Sequence, residues 1–282
     1  MPGRGSRRAS GAVIGNRERS ERGPEPDAFT LTSRLVLEYD GGEFAGWARQ
    51  PGQRTVQGEV ERALGVVLRR SVAVTVAGRT DTGVHALGQV CSYEGEAVRV
   101  ASLNALLPGD VAALSCEAAV DGFDARWDAT SRAYCYRVLT RVGRPALCAG
   151  RVLHWPHAVE YDALCSCAAA SVGVHDFTAF TPTDTEHVRF EREVYSAFWR
   201  RPDSELLEFW IEADAFMRHM NRVLVGTMLE VGSGRLSVSD FRSLLAGAPR
   251  ERAGPTAPAC GLYLVGVGYG GERLLSPPAG VL

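Results

Sequence analysis

The 282-residue sequence contains no lysine, so arginine supplies all 31 of its basic side chains. Arginine suits bidentate contacts to phosphate and stacking on bases, although a composition bias is the simpler explanation. The formal net charge is -2, so the overall charge does not indicate a nucleic-acid partner. The sequence has no run of about 18 apolar residues, which argues against a membrane-spanning helix. The N-terminus lacks the apolar stretch of a secretory signal.

Several cofactor motifs are also missing. The sequence has no Walker loop and no glycine-rich dinucleotide motif opening a βαβ unit. Its seven cysteines are odd in number and scattered, which favours reduced, buried thiols in a cytoplasmic protein over a disulfide framework. Cys165 and Cys167 lie two residues apart, but no second pair stands at the spacing of a zinc finger. We therefore expect no metal and no cofactor.

The composition changes sharply near residue 32. Residues 1–32 are rich in Arg, Gly, Ser, Pro and Glu and lack apolar periodicity, which predicts a disordered tail. Beyond it, strands paired by hairpins and interspersed with helices indicate an α+β protein. We expect an N-terminal α/β lobe over residues 33–122 and a C-terminal α/β lobe over residues 123–282.

Hydrophobic periodicity predicts the elements of both lobes. Thr55 is the expected N-cap of a helix whose apolar residues recur at helical spacing from Val56 to Leu68. Runs of alternating apolar residues predict strands. The expected strands are Leu35–Tyr39, Val72–Ala77, Gly88–Tyr93, Val111–Val120, Arg132–Leu139, Val188–Arg200, Leu206–Glu212 and Leu262–Val267, and the other helices are a short one before Pro108, Tyr161–Val172 and Met217–Val231.

One polar loop separates two of these predicted strands. It reads Gly-Arg-Thr-Asp-Thr-Gly-Val-His-Ala from Gly78 to Ala86, with Asp81 between two glycines. Glycines let a backbone approach a ligand closely, and polar loops on a rigid scaffold often carry function. Taken alone, the segment is equally consistent with a tight turn that carries a solvated aspartate.

The segment GRTDTGVHALGQV, residues 78–90, closely resembles the signature of the tRNA pseudouridine synthase A family. Further matches extend from about residue 33 to residue 270. They include LEYDG at 37–41, TVQ at 55–57, LPGD at 107–110, FDAR at 123–126, ATSRAYCY at 129–136, HDFTAF at 175–180, Phe216 with His219, Met220 and Arg222, and GLYL at 261–264. The resemblance implies the pseudouridine synthase fold, in which two α/β lobes with antiparallel or mixed sheets join across a central active-site cleft.

The resemblance also implies roles for individual residues. Asp81 matches the catalytic nucleophile, Arg222 the arginine that pairs with it, and Tyr134 the tyrosine that packs at the catalytic base and contacts the substrate. Arg79 is expected to grip the RNA backbone or to fill the space of an extruded uridine, and His85 to be structural. Where the family usually shows Met-Val-Arg-Asn, this chain has Asn221 before Arg222 and Val223 after it.

The implied activity is the isomerisation of uridine to pseudouridine at positions 38, 39 and 40 in the anticodon stem-loop of tRNA. The family needs no cofactor, since the reaction has no redox change, and it acts as a homodimer. Three alternatives remain open from the residues. They are the same chemistry at another RNA site, a non-catalytic RNA-binding protein that keeps the fold, and a metal-free hydrolase using Asp81 with His85.

Overall fold

The computed structural model describes residues 31–185 and 188–276. The predicted tail, residues 1–32, therefore lies outside the described residues except for its last two. The first strand, β1 (Thr32–Tyr39), begins at the second of these. Within the described ranges, no helix has both the length and the apolar character needed to cross a membrane.

Runs of one to three strands are separated by helices along the described chain. The remaining elements are α1 (Val56–Leu68), β2 (Thr75–Val76), β3 (His85–Glu94), α2 (Val100–Asn104), β4 (Val111–Ala118), β5 (Ala129–Leu139), β6 (Leu153–His154), α3 (Tyr161–Ala170), β7 (Gly173–Asp176), β8 (Glu191–Arg200), β9 (Leu206–Ala213), α4 (Met220–Gly232), α5 (Val238–Leu244) and β10 (Leu262–Tyr269). The expected α+β class is confirmed.

Some predicted boundaries are wrong. The strand expected over residues 72–77 is reduced to the two residues of β2, which pair with Cys91 and Ser92 of β3. The strand expected from Val188 begins only at Glu191. Short elements were not predicted, because β6, β7 and α5 are too brief for periodicity to show. Helix α5 is instead marked by a capping box between Ser237 and Asp240.

All ten strands of the described ranges belong to one mixed sheet. Its main path runs β4-β1-β3-β10-β5-β9-β8-β7, with β2 added to β3 and β6 added to β5. Most neighbours are antiparallel, and the exceptions are the pairs β10 with β3 and β5 with β6. The sheets of the N-terminal and C-terminal parts of the chain are therefore continuous.

Strand β10, from the end of the chain, lies at the junction of these two parts. Its Leu264 is in register with Ala86 of β3 on one side and with Tyr134 of β5 on the other. This register places the loop that precedes β3 close to the middle of β5. Residues far apart in sequence are thereby brought to one region of the sheet.

Helix α4 lies deep in the protein. Of its thirteen residues, only Arg222 and Glu230 are not fully buried. Gly226 lets the following chain pack directly on the helix, because a Cβ atom there would lie 1.8 Å from the carbonyl oxygen of Pro255. The close approach of residues 253–257 to α4 brings the Ala257 carbonyl within hydrogen-bond distance of the Arg222 side chain.

Asn221, which departs from the family pattern, is buried in the first turn of α4. Its side-chain oxygen Oδ1 is buried and has no hydrogen-bond partner among the described residues. An unsatisfied buried polar group costs about 1–3 kcal/mol. The same helix provides a contrast in Thr227, whose hydroxyl donates to the carbonyl of Val223 at 2.7 Å and accepts from the amide of Gly254 at 3.0 Å.

We predict that Asn221→Val raises the free energy of unfolding by about 1 kcal/mol, because the buried oxygen is removed and the volume is nearly kept. Urea denaturation monitored by circular dichroism measures the change. Thr227→Val is the matched control on the same helix. It should destabilise the protein, since it leaves the Gly254 amide without its acceptor. A loss of stability in Asn221→Val would contradict the prediction.

Candidate active site

Backbone carbonyls hold the loop that carries Asp81. The carbonyl of Ala77 accepts from Arg132 Nε at 3.2 Å and Nη2 at 2.8 Å. The carbonyl of Gly78 accepts from the Gln89 side chain at 2.7 Å. The loop is thus fixed from β5 on one side and from β3 on the other, although it has no regular secondary structure.

The middle of the loop is anchored to the first part of the chain. The carbonyl of Thr80 accepts from the amide of Trp47 at 3.0 Å, and the Thr80 hydroxyl lies 2.7 Å from the hydroxyl of Tyr39. Burial raises the pKa of Tyr39 to about 12, although its hydrogen bonds with Thr80 and Gln89 oppose the rise. Tyr39 therefore stays protonated at neutral pH and supports the loop as a neutral hydroxyl.

Two glycines shape the turn around Asp81. Gly83 adopts a φ of 79°, and the Val84 amide donates to the Asp81 carbonyl at 3.1 Å to close the turn. Gly46 adopts a φ of 91° on the neighbouring loop, where a Cβ atom would lie 2.9 Å from the carbonyl oxygen of Thr80. Left-handed backbone and close approach both favour glycine here.

The carboxylate of Asp81 is half-exposed and free of hydrogen bonds from the described residues. Its side chain is 38% exposed, and its nearest titratable neighbour among the described ion-pair contacts is His219, whose Nε2 lies 3.6 Å from Asp81 Oδ2. A carboxylate fixed through its backbone, with open oxygens, is available to a substrate. This is the arrangement that a nucleophile or base requires.

His219 stands immediately before α4 in an unusual backbone conformation. Its φ of 61° and ψ of 1° lie in the left-handed region, which only Arg69 shares among the described non-glycine residues. Burial lowers the pKa of His219 below 6.5, and the charges of Arg222 and Arg218 add to this, against Asp81 and Asp184. The imidazole is therefore mainly neutral at neutral pH.

Arg222 lies one helical turn after His219. Its Nε donates to the carbonyl of Ala257 at 2.7 Å, and the Ala257 amide donates back to the Arg222 carbonyl at 3.0 Å. Among the described contacts, no ion pair joins Arg222 to Asp81. The expected pairing of these two side chains is not formed in this structure, and the role of Arg222 stays a prediction.

Tyr134 lies at the base of the same region. It is buried, and its ring meets Phe216 edge-on at a centroid distance of 5.0 Å. Burial raises the pKa of Tyr134 well above its usual value, and the charge of nearby Asp81 contributes to the rise. Tyr134 is therefore a neutral side chain at the start of the Asp81 loop, where a Cβ atom on Gly78 would lie 3.8 Å from its hydroxyl.

Arg79 is exposed and adjoins Asp81 in the loop. Its side chain forms no hydrogen bond or ion pair with the described residues. The structure therefore brings Tyr134 to the start of the Asp81 loop at Gly78, places Arg79 at the surface of the same loop, and leaves Arg222 nearby on α4.

His85 belongs to a different environment. Its Nδ1 accepts from the amide of Gly41 at 3.1 Å, and its Nε2 lies 3.0 Å from the carbonyl of Gly150 and 3.2 Å from that of Cys260. It is buried, as expected for a structural residue. The two ring nitrogens are thus engaged away from Asp81, which disfavours a hydrolase built on an Asp81–His85 pair.

His219 was not predicted from the sequence as a site residue. Its spacing from Arg222 is three residues, which places both on one turn leading into α4, and this was the available signal. Sequence alone did not show that His219 adopts a left-handed conformation. It also did not show that the loop at 78–84 lies close to the His219 side chain.

We predict that Gly46→Ala destabilises the protein more than Gly52→Ala. Both glycines have positive φ values, 91° and 70°, so both alanines carry a backbone strain of about 1 kcal/mol. Only at Gly46 would the new Cβ meet the loop at Thr80, because nothing lies within 4 Å at Gly52. Urea denaturation measures stability, and amide hydrogen exchange measures opening of residues 78–84. Equal effects of the two substitutions would contradict the proposed close contact.

The sequence resembles known proteins along most of its length. A family model described as tRNA pseudouridine synthase matches residues 167–270. A tRNA pseudouridine synthase A from Chromobacterium violaceum is 42% identical over 244 residues, which cover 84% of this chain and 93% of that protein. One from Bacillus pumilus is 37% identical over 243 residues, covering 84% of this chain and 98% of that protein.

Similarity to solved structures is much lower. The archaeal box H/ACA sRNP Nop10-Cbf5 complex matches with a TM-score of 0.33 and 14% identity, covering 70% of this chain and 44% of the matched chain. Similarity at that level supports no conclusion. The extended sequence identity does, and it establishes that the chain belongs to the tRNA pseudouridine synthase A family of isomerases.

Proposed function

We propose that the protein isomerises uridine to pseudouridine in the anticodon stem-loop of tRNA, at positions 38, 39 and 40, with Asp81 as the nucleophile. The observation that carries this proposal is the Asp81 carboxylate itself. It is held by an anchored loop, it is open to a ligand, and its loop begins against the buried Tyr134 in a member of this family.

The reaction begins with extrusion of the target uridine, which costs a few kcal/mol of stacking. Tyr134 and Phe216 supply an apolar wall for the extruded base, and Arg79 contacts the RNA backbone or fills the vacated space. Arg79 suits this role because its guanidinium is exposed and uncommitted. Stacking on an aromatic side chain contributes about 1–3 kcal/mol per base.

Asp81 then acts on the nucleoside. As a nucleophile it attacks the ribose as the glycosidic bond breaks, and as a base it removes a ribose proton in an elimination route. Both routes require an ionised carboxylate. Arg222, whose Nε donates to the Ala257 carbonyl, supplies positive charge that stabilises negative charge in the transition state.

We also propose a domain division, a cellular location and an oligomeric state. The chain is divided into a tail over residues 1–32 and lobes over residues 33–122 and 123–282. It acts in the cytoplasm as a homodimer, as the family resemblance implies, so that one tRNA lies across two subunits. Sedimentation velocity tests the dimer, since a monomer would have a mass of 30.4 kDa.

We predict that the wild-type protein releases tritium from tRNA labelled at uridine C5 and that Asp81→Asn abolishes the release. The substitution keeps the size of the side chain but removes its charge. Mapping pseudouridine in the product tRNA tests positions 38, 39 and 40 and separates this function from the same chemistry at another RNA site.

Asp121→Asn is the matched control for that experiment, because Asp121 is an exposed aspartate outside the loop. Circular dichroism should show that both variants are folded. No release by folded wild type on a mixture of tRNAs would refute the enzyme and favour an RNA-binding protein. Release that persists in Asp81→Asn would refute the nucleophile.

Arg222 and Arg79 are predicted to affect different kinetic constants. Arg222→Ala should lower kcat by about 10- to 100-fold with little change in tRNA affinity, because its charge acts on Asp81 rather than on the bound RNA. Arg79→Ala should weaken tRNA binding and reduce the salt dependence of binding by about one phosphate contact. Single-turnover kinetics and filter binding measure the two effects. A reversed pattern would contradict both assignments.

A further inference from the structure

The last step of the proposed reaction removes a proton from C5 of the base, and this proton needs an acceptor. When the detached uracil forms a bond from C5 to the ribose, C5 carries both the ribose and its original hydrogen. That hydrogen must leave as a proton to restore the ring. Asp81 has been released from the ribose by then, so the acceptor is either its free carboxylate or a second group close to it.

Few side chains around Asp81 are able to accept a proton. Tyr134 is held neutral by burial, which raises its pKa far above neutral pH, so it has no phenolate to act as a base. The guanidinium groups of Arg79 and Arg222 are hydrogen-bond donors and offer no acceptor for a proton. His219 differs from all three, because its ring is neutral near pH 7 and 31% of its side chain is exposed toward solvent.

The geometry of His219 fits this task. Its Nε2 lies 3.6 Å from Asp81 Oδ2, a distance that brings it to the same reacting centre without committing it to a hydrogen bond. Neither ring nitrogen has a hydrogen-bond partner among the described residues. The backbone of His219 is held by the amide of Val223, which donates to its carbonyl at 3.0 Å, so the imidazole projects from a fixed point.

The left-handed conformation adds a separate indication. A non-glycine residue at φ 61° is strained by roughly 1–2 kcal/mol, and such strain is concentrated at functional sites. His219 caps α4 without any side-chain hydrogen bond to the helix. Helix capping by this side chain therefore does not explain the strained backbone.

We propose that His219 is the base that removes the C5 proton after the new carbon–carbon bond has formed, an inference that rests on the proposed function. Nε2 takes the proton, and the electron pair of the C5–H bond forms the C5–C6 double bond. The electrons of the C6–N1 double bond move to N1, which takes up a proton. His219 then returns its proton to solvent, so no oxidant, reductant or additional reactant is consumed.

The test compares uridine with 5-fluorouridine in the same tRNA. Fluorine replaces the C5 hydrogen, so glycosidic cleavage and carbon–carbon bond formation remain possible but there is no C5 proton to remove. His219→Asn keeps a residue that tolerates the left-handed backbone and replaces the imidazole with an amide that is not a base. His157→Gln, at an exposed histidine, is the control.

We predict that His219→Asn slows tritium release and pseudouridine formation from uridine by about 100-fold, the usual scale of general base catalysis. It should process 5-fluorouridine tRNA within about twofold of the wild-type rate. Deuterium at C5 should slow the variant on uridine by a primary isotope effect that the wild type lacks. Imidazole added to His219→Gly should restore turnover, since glycine accepts the same backbone and leaves space for it.

The possible results are separable. Equal slowing of uridine and 5-fluorouridine by His219→Asn would overturn the inference and make His219 a positioning residue for Asp81. Wild-type rates on both substrates would overturn it as well. Failure of the wild-type protein itself to release tritium would instead refute the proposed function.

Discussion

Strand β10 forms backbone hydrogen bonds with β3 on one edge and β5 on the other, and the candidate site depends on this arrangement. The register at Leu264 fixes Ala86 and Tyr134 on either side of one residue. The Asp81 loop enters β3, so its position is set by the same register. If β10 shifted by one residue, its side chains would exchange faces. The loop would then lose its contact with Arg132 of β5.

The electrostatics of the site follow from where each charge is held. Asp81 is anchored through its backbone, so its carboxylate is left open. Arg222 gives a hydrogen bond to Ala257, a contact made possible by the close packing of residues 253–257 on Gly226. Its positive charge is therefore fixed near the site without a direct ion pair. Burial and the neighbouring arginines lower the pKa of His219 more than the carboxylates raise it, so its side chain is neutral.

The predictions from sequence succeeded where the signal was long or highly specific. Helix α1 begins at its predicted cap, where Thr55 accepts from the Gly58 amide at 3.3 Å, and it ends at Leu68 as expected. Segment 72–77 looked like a full strand, yet only Thr75 and Val76 form ladder pairs. Alternation indicates which residues are buried, but strand pairing also needs a partner edge. The contact with β3 ends with the Ala77 amide, which donates to the Val90 carbonyl at 2.9 Å.

The sequence by itself determined the α+β class, the family, and the candidate residues Asp81, Arg79, Tyr134 and Arg222, because motif order and periodicity are local properties of the chain. Tertiary structure alone decided which of these meet. It placed Tyr134 at the start of the Asp81 loop, near Gly78, and left Arg222 bound to Ala257. It also brought His219 to 3.6 Å from the carboxylate. The physical reason is that the distances between residues 81, 134 and 219 are set by sheet register and by a left-handed turn before α4. Neither can be deduced from the spacing of the motifs.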